Sequence, residues 1–347
     1  MPSGMRLMIS VMRDEASFIL EWISYHRAIG FTDFLIYSND CADGTDAILG
    51  RLMELGIVTH VPNPRSGKKT VQWQALSRAR NHPLTEQSDW IMVADVDEFL
   101  VIHPGEGRLD DLFDHLPEAN GFAVPWRMFG NSGQRRFEPG LVIERFTHTT
   151  PDQMVWPLRV GQFKSLFRQD ARFARLGVHR PQTEKRQPFP PNWLDGSGRE
   201  VSMARKSFMF TTEKKFDVAQ LNHYSLGSCE DFLVKMTRGR PNHMEMPIDL
   251  GYWVERNFND VEDLRILRHR DAVQAGIDEL LEDGELAKLH EQGIAWRRER
   301  IAGLLRDHDL FLLFSRLVQS QNTPVLPMPL QMELVRMREQ ALPKKSS

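Results

Sequence analysis

The chain has almost no cysteine. Only Cys41 and Cys229 occur among its 347 residues, too few for a disulfide framework or a thiolate zinc centre, and a usage that fits a reducing compartment. It also lacks any uncharged apolar stretch near the ~18 residues of a membrane span. Met1–Arg6 runs straight into a strand-like pattern with no separate apolar signal region. The expectation is a cytosolic protein, at most peripheral at the inner face of a membrane. An excess of positive charge is missing too. Its 44 Lys and Arg face 47 Asp and Glu, a net charge of −3, so nothing favours nucleic acid as a partner. What is present is an ordinary globular composition, 41% hydrophobic and 26% charged, in a chain longer than the usual single domain.

The first hundred residues alternate in period. Leu7–Met12, Phe34–Tyr37, Ile57–Val61 and Trp90–Ala94 read as strands. Between them lie a helix over Phe18–Ile29 ended by Gly30, a helix capped by Asp43 or Thr45 and stopped by Gly56, and a helix over Val71–Ala79. Such alternation means a parallel sheet with right-handed crossovers. The fourth strand is apolar on both faces and leads directly into Asp95-Val96-Asp97-Glu98, at the carboxyl edge where open α/β sheets bind ligands. Neighbouring carboxylates repel unless a cation holds them, and hard oxygen ligands suit Mg²⁺ or Mn²⁺ shared with substrate phosphates. The pattern points to a metal–diphosphate site. The plain alternative is a pair of solvated acids in a βα loop. A phosphatase of the haloacid type is disfavoured, because Phe99-Leu100-Val101 offers no hydroxyl where that chemistry uses one.

Beyond Phe99 the rhythm changes. Phe122–Trp126 and Leu141–Ile143 are short strand candidates, and residues 180–200, rich in Pro, Gly and charge, read as a long surface loop. A helical pattern resumes near residue 228. Residues 277–317 carry apolar positions at helical spacing, interleaved with Arg297, Arg298, Arg300, Arg306 and Arg316. An amphipathic helix docking on an anionic membrane is one reading. A helical subdomain packed on the core is favoured, because Glu299, Asp307 and Asp309 dilute the positive face and Phe311–Phe314 is apolar all round.

Five ordered blocks resemble a known family. They are Arg13-Asp14-Glu15 with Glu21-Trp22-Ile23-Ser24-Tyr25-His26 (Asp14 where the family has Asn), Tyr37–Thr45, Ala94–Phe99, Trp126–Gly133, and Leu221-Asn222-His223-Tyr224 with Ser228 and Lys235. Together they resemble glycosyltransferases of the GT-A fold, from the family-2-like group that is also similar to glycosyltransferase family 92. The resemblance spans about residues 6–240. It implies an α/β fold, a Rossmann-like nucleotide-sugar-binding mixed sheet flanked by helices. The catalytic domain would occupy residues 1–255, with a nucleotide-binding half to about 100 and an acceptor half over 101–255. A helical extension would occupy 256–347. The implied activity is metal-dependent transfer of a hexose from a nucleoside diphosphate sugar, a UDP-sugar foremost, to a glycan or lipid-linked acceptor, with inversion.

The resemblance also implies roles. Asp97 is the direct metal ligand, Asp95 reaches the ribose or a metal-bound water, and His223 closes the metal site, with His179 as second choice. For His223 the alternative is a structural histidine beside Asn222 and Tyr224. Imidazole favours Mn²⁺ over Mg²⁺. Glu15, Asn39 and Asp43 border the nucleoside, although Asp43 is equally a helix cap. Arg80 faces the nucleotide, and Lys164 and Lys235 contact the diphosphate. Of the carboxylates able to serve as general base (Glu98, Glu138, Glu144, Glu230 and Asp231), Glu230 and Asp231 at a helix start come nearest. Two other classes remain. A nucleotidyltransferase would bring a Gly-rich basic loop after the first strand, where Arg13-Asp14-Glu15-Ala16 offers acids. A non-catalytic glycan-binding protein would have little use for carboxylates clustered in a cleft, which cost stability.

Overall fold

Residues 4–67, 69–184, 187–202, 213–238 and 248–341 are described in a computed structural model of the chain. The first half alternates as its periodicity implies: β1 (Arg6–Met12), α1 (Ile19–Ala28), β2 (Asp33–Ser38), α2 (Thr45–Glu54), β3 (Thr59–Pro62), α3 (Val71–Ala79), a short α4 (Pro83–Gln87) and β4 (Trp90–Val93). β1 pairs in parallel with β2 and β4, and β2 in parallel with β3. The order β3-β2-β1-β4 therefore reverses its direction of growth between β1 and β4. A crevice opens outside the carboxyl ends of the strands at such a reversal.

The second half continues the sheet without the parallel rhythm. It comprises β5 (Glu98–Ile102), α5 (Leu109–His115), β6 (Gly121–Met128), α6 (Val142–Arg145), β7 (His148–Thr149), β8 (Phe163–Arg168), β9 (Phe173–Arg175), β10 (Gln182–Thr183), β11 (Trp193–Asp195) and β12 (Ala219–His223). β8 lies antiparallel between β4 and β6, and β12 is parallel to β6 and antiparallel to β5. Two expectations fail here. Leu141–Ile143 is no strand. Val142 and Ile143 open α6, and their amides donate to the two carboxylate oxygens of Glu21 at 2.8 and 3.1 Å, an anion at a helix start. Residues 180–200 are not all loop, because β11 pairs in parallel with β6. Gly121 permits that pairing, since a Cβ there would lie 2.6 Å from the Trp193 ring.

The remaining elements are α7 (Cys229–Arg238), α8 (Leu250–Val254), β13 (Val261–Glu262), α9 (Arg270–Leu281), α10 (Gly284–Leu304), α11 (His308–Gln319) and α12 (Met328–Ala341). α9 packs on α1, α10 on α2 and α7, and α11 on α7 and α8. Val273, Leu280 and Leu286 join the main core, while Ile301, Leu304 and Leu317 complete a smaller core with Phe232, Leu233 and Trp253. The packed-subdomain reading of this region holds, with one correction. Phe311 and Leu312 are 49% and 37% exposed, so α11 turns one apolar edge outward. Among the described residues no helix is long and apolar enough to cross a membrane.

His26 of α1 is fully enclosed, stacked on Phe99 and edge-on to Tyr25 and Phe31. Burial holds its pKa down at about 3, against an ordinary 6.5. The unfolded chain takes up this proton near pH 6.5 and the folded chain does not. Stability is therefore complete above that pH and falls on acidification by up to about 1.4 kcal/mol per pH unit. A His26→Leu variant should lose melting temperature less steeply than the wild type between pH 6.5 and 5. Identical slopes would remove His26 from the acid response.

Candidate active site

A cavity of about 410 Å³ opens at the β1/β4 reversal. Met12, Arg13 and Glu15 reach it from the end of β1, Asn39 and Asp40 from the end of β2, and Asp95, Val96 and Asp97 from the end of β4. Asp14 and Asp40, in the tight turns after β1 and β2, have φ of 54° and 48°. Asp and Asn tolerate this left-handed region better than most residues, which accounts for an Asp at a position where the resembling family has Asn. The opposite wall comes from the second half: Trp126 of β6, Lys164 of β8, His179, His223 of β12, and Lys235 and Arg238 of α7.

Each acid on the floor meets a cation from that wall. Lys164 is fully buried, and its Nζ lies 3.0 Å from both Asp95 Oδ2 and Glu98 Oε2. Desolvation would lower its pKa, but the two carboxylates raise it and keep it charged. Lys235 Nζ donates to Asp97 Oδ2 at 2.6 Å and to the Ser225 carbonyl at 2.7 Å. Burial would push Asp97 up, yet Lys235 and then His223 hold it well below the usual carboxylate range. Arg238, one turn further along α7, pairs with Glu15 at 2.5 Å and donates to the carbonyls of Arg13 and Asp14. Burial raises Glu15, and Arg238 offsets only part of that.

Asp97 Oδ1 and His223 Nε2 face each other at 3.7 Å, longer than a hydrogen bond. Adjacent and opposite ligands on one ion with ~2.1 Å bonds stand about 3.0 and 4.2 Å apart, and this pair falls between. His223 is buried against the Trp126 ring at 4.2 Å, and desolvation lowers its pKa, which keeps the imidazole neutral as a ligand must be. Its Nδ1 has no hydrogen-bond partner among the described residues. The expected three-ligand set is not assembled. Among the described residues no group of three or more His, Cys, Asp or Glu converges, because Asp95 is turned to Lys164 and to Gln72 Nε2 at 3.4 Å. His179 lines the same cavity, with its Nδ1 2.8 Å from the Phe163 carbonyl.

Four other expected residues lie off this cleft. Asp43 is a loop brace: its Oδ2 accepts from Ala16 N at 2.8 Å, and its Oδ1 accepts from Thr45 N and Thr45 Oγ1. Arg80 donates its Nε to the Phe173 carbonyl at 2.7 Å, because the end of α3 points it towards β9. Glu230 accepts from Phe137 N at 2.8 Å. Asp231 lines a side chamber of about 50 Å³ next to Lys235 and Arg238. There its carboxylate accepts from Ser228 Oγ and from Arg297 Nε, at 2.7 and 2.9 Å. The base assigned to Glu230 or Asp231 is thus not delivered to the main cavity. Arg238 is one of the lining residues that the sequence reading missed, as are Arg159 and Arg256. Asp231, Lys235 and Arg238 share one face of a helix by spacing, and that spacing was visible in the chain.

A parallel half-sheet with its crevice at the reversal, acids on one lip and cations on the other, puts the chain among the open α/β proteins that carry their ligand crevice at the strands' carboxyl ends. Within that class it belongs to glycosyltransferase family 92, whose sequence model matches residues 9–247. A family 92 protein of Oryza sativa subsp. japonica is 29% identical over 144 residues, and one of Ricinus communis is 29% identical over 130 residues. The matches cover 40% and 36% of this chain but 24% and 22% of those proteins, so the chain spans about a quarter of the length of the curated relatives it matches. Among solved structures, S. aureus TarS in complex with UDP is similar over 47% of each chain, at 14% identity and a TM-score of 0.29. Glucosyl-3-phosphoglycerate synthase from Mycobacterium tuberculosis, in complex with Mn²⁺, UDP and glucosyl-3-phosphoglycerate, is similar over 36% of this chain and 45% of that one, at 16% identity and a TM-score of 0.23. The mixed sheet flanked by helices, with helices at its C-terminal end, is the GT-A arrangement that the motifs imply.

Proposed function

We propose that the chain transfers a hexose from a nucleoside diphosphate sugar, a UDP-sugar foremost, to a glycan or lipid-linked acceptor, with inversion and with a divalent cation. The observation that carries this reading is the set of Asp95 and Asp97 at the carboxyl end of β4, across the switch-point crevice from Lys235 and Arg238. Glu15 and Asn39 border the nucleoside end. Lys235 and Arg238, one helical turn apart, suit the oxygens of two successive phosphates. The Trp126 ring supplies an apolar wall beside them, as sites for polar ligands commonly do. Asp97 and His223 would hold the cation, and imidazole suits Mn²⁺ better than Mg²⁺. When bound, the cation supplies neutralisation of charge on the departing nucleoside diphosphate.

Calorimetric titration of UDP with and without Mn²⁺, followed by a screen of UDP- and GDP-sugars for metal-dependent hydrolysis, tests the proposal. Absence of any nucleotide affinity in the presence of Mn²⁺ would refute it. His223→Ala should weaken apparent Mn²⁺ affinity about 10–100-fold, so that added Mn²⁺ partly restores turnover. Wild-type metal dependence in that variant would return His223 to a packing role against Trp126.

A further inference from the structure

The loop after β1, Arg13–Ala16, is held from three sides, and one of them lies outside the family-matched segment. Arg238 grips it from α7 through the Arg13 and Asp14 carbonyls and the Glu15 carboxylate. The start of α2 holds its amides: Glu15 N donates to Thr45 Oγ1, and Ala16 N to Asp43 Oδ2, both at 2.8 Å. The third side is α10, which begins well past residue 247. His290, Gly293 and Arg297 lie on one face of that helix by spacing. His290 faces the Ala16 backbone, which partly offsets the lowering of its pKa by burial, while its Nδ1 has no hydrogen-bond partner among the described residues. Gly293 meets Ala16 so closely that a Cβ on it would lie 2.5 Å from the Ala16 Cβ and 3.5 Å from the Asp43 carbonyl oxygen. Glycine in a helix interior costs about 1 kcal/mol relative to alanine, and this approach is what it permits. Arg297, 4% exposed, sets its guanidinium 4.5 Å from the Phe18 ring centroid and bonds Asp231, one turn before Lys235.

We infer that α10 is the back-plate of the donor site: through His290, Gly293 and Arg297 it positions the Arg13–Ala16 loop and the Lys235/Arg238 face of α7. These three are positioning residues, since none of them lines the main cavity. The inference rests on the nucleotide reading of the cleft. It makes the C-terminal helices part of the site and not an appendage to it.

The test uses the full chain. Gly293→Ala is expected to weaken UDP binding in the presence of Mn²⁺ about tenfold and to speed amide exchange at Glu15 and Ala16. Adding Ala16→Gly, which removes the opposing methyl, should restore both. A folded Gly293→Ala with wild-type affinity and exchange overturns the inference, as does a loss that Ala16→Gly fails to relieve. If Gly293→Ala does not fold, His290→Ala removes a contact without adding bulk. It should show a several-fold affinity loss with the same exchange signature, and wild-type values in both would again overturn the inference. A wild-type chain that binds no UDP refutes the nucleotide reading instead. Exchange at Glu15 and Ala16 then still decides whether α10 sets the loop.

Discussion

On the proposed donor-site reading, Asp97→Asn is expected to lower glycosyl transfer roughly a thousandfold and to remove cation-dependent UDP binding while the fold persists. The asparagine keeps the shape of the side chain, and the backbone carbonyl of residue 97 still accepts from Tyr224 N. What disappears is the one floor carboxylate that faces both an imidazole and an ammonium. Lys235 retains the Ser225 carbonyl, so the stability cost is about 1–3 kcal/mol. Asp95→Asn should be milder, about tenfold in turnover, because Glu98 continues to hold Lys164. Donor turnover and UDP calorimetry with and without Mn²⁺ check both variants. Unchanged cation-dependent affinity in Asp97→Asn would sink the assignment of the cleft floor.

The contrast between these two acids also shows what the chain alone could reveal. A strand buried on both faces announces itself by an unbroken apolar run, and the acids that follow it must emerge at the ligand edge. That much of the site was legible, as were β1, β2 and α3. Side-chain direction was not. Asp95 and Asp97 look equivalent in sequence, yet one is turned to a lysine from β8 and the other to a lysine from α7, and both partners are set by long-range pairing. The local pattern assigns residues 98–102 to no element of their own. They form β5, which crosses to the far end of the sheet because β12 later pairs with it, a choice no local period encodes. Arg80 and Asp43 followed family spacing, but each turns on its own helix or loop to satisfy a backbone group. Glu230 and Asp231 show the same limit in reverse. A helix start with two acids is easily read, but that neither reaches the main cavity depends on Phe137 for Glu230 and on Arg297, 66 residues away, for Asp231. That residues 142–145 open as a helix and not as a strand likewise involves Glu21, whose carboxylate accepts from the first two amides.

The last expected result concerns the C-terminal helices. A chain cut after Leu281 would lose α10, α11 and α12, and with them the buried side chains of Leu286, Ile301, Leu304 and Leu317. At about 1.5–3 kcal/mol for each such side chain, the loss is about 6–12 kcal/mol, comparable with the whole stability of a typical domain at about 5–15 kcal/mol. The cut also uncovers Phe232, Leu233 and Trp253, and it leaves the carboxylate of Asp231 without its Arg297 partner, a buried charge that is costly when unpaired. The truncated chain should therefore be insoluble, or should melt without a cooperative transition. The competing reading assigns these helices to an anionic membrane, with the exposed Phe311 and Leu312 inserting beside Arg306 and Arg316. It requires the opposite outcome: a truncated protein that stays folded, keeps UDP affinity and loses only its sedimentation with anionic vesicles. The contacts of α10 with α2 and α7 make the first outcome the expected one.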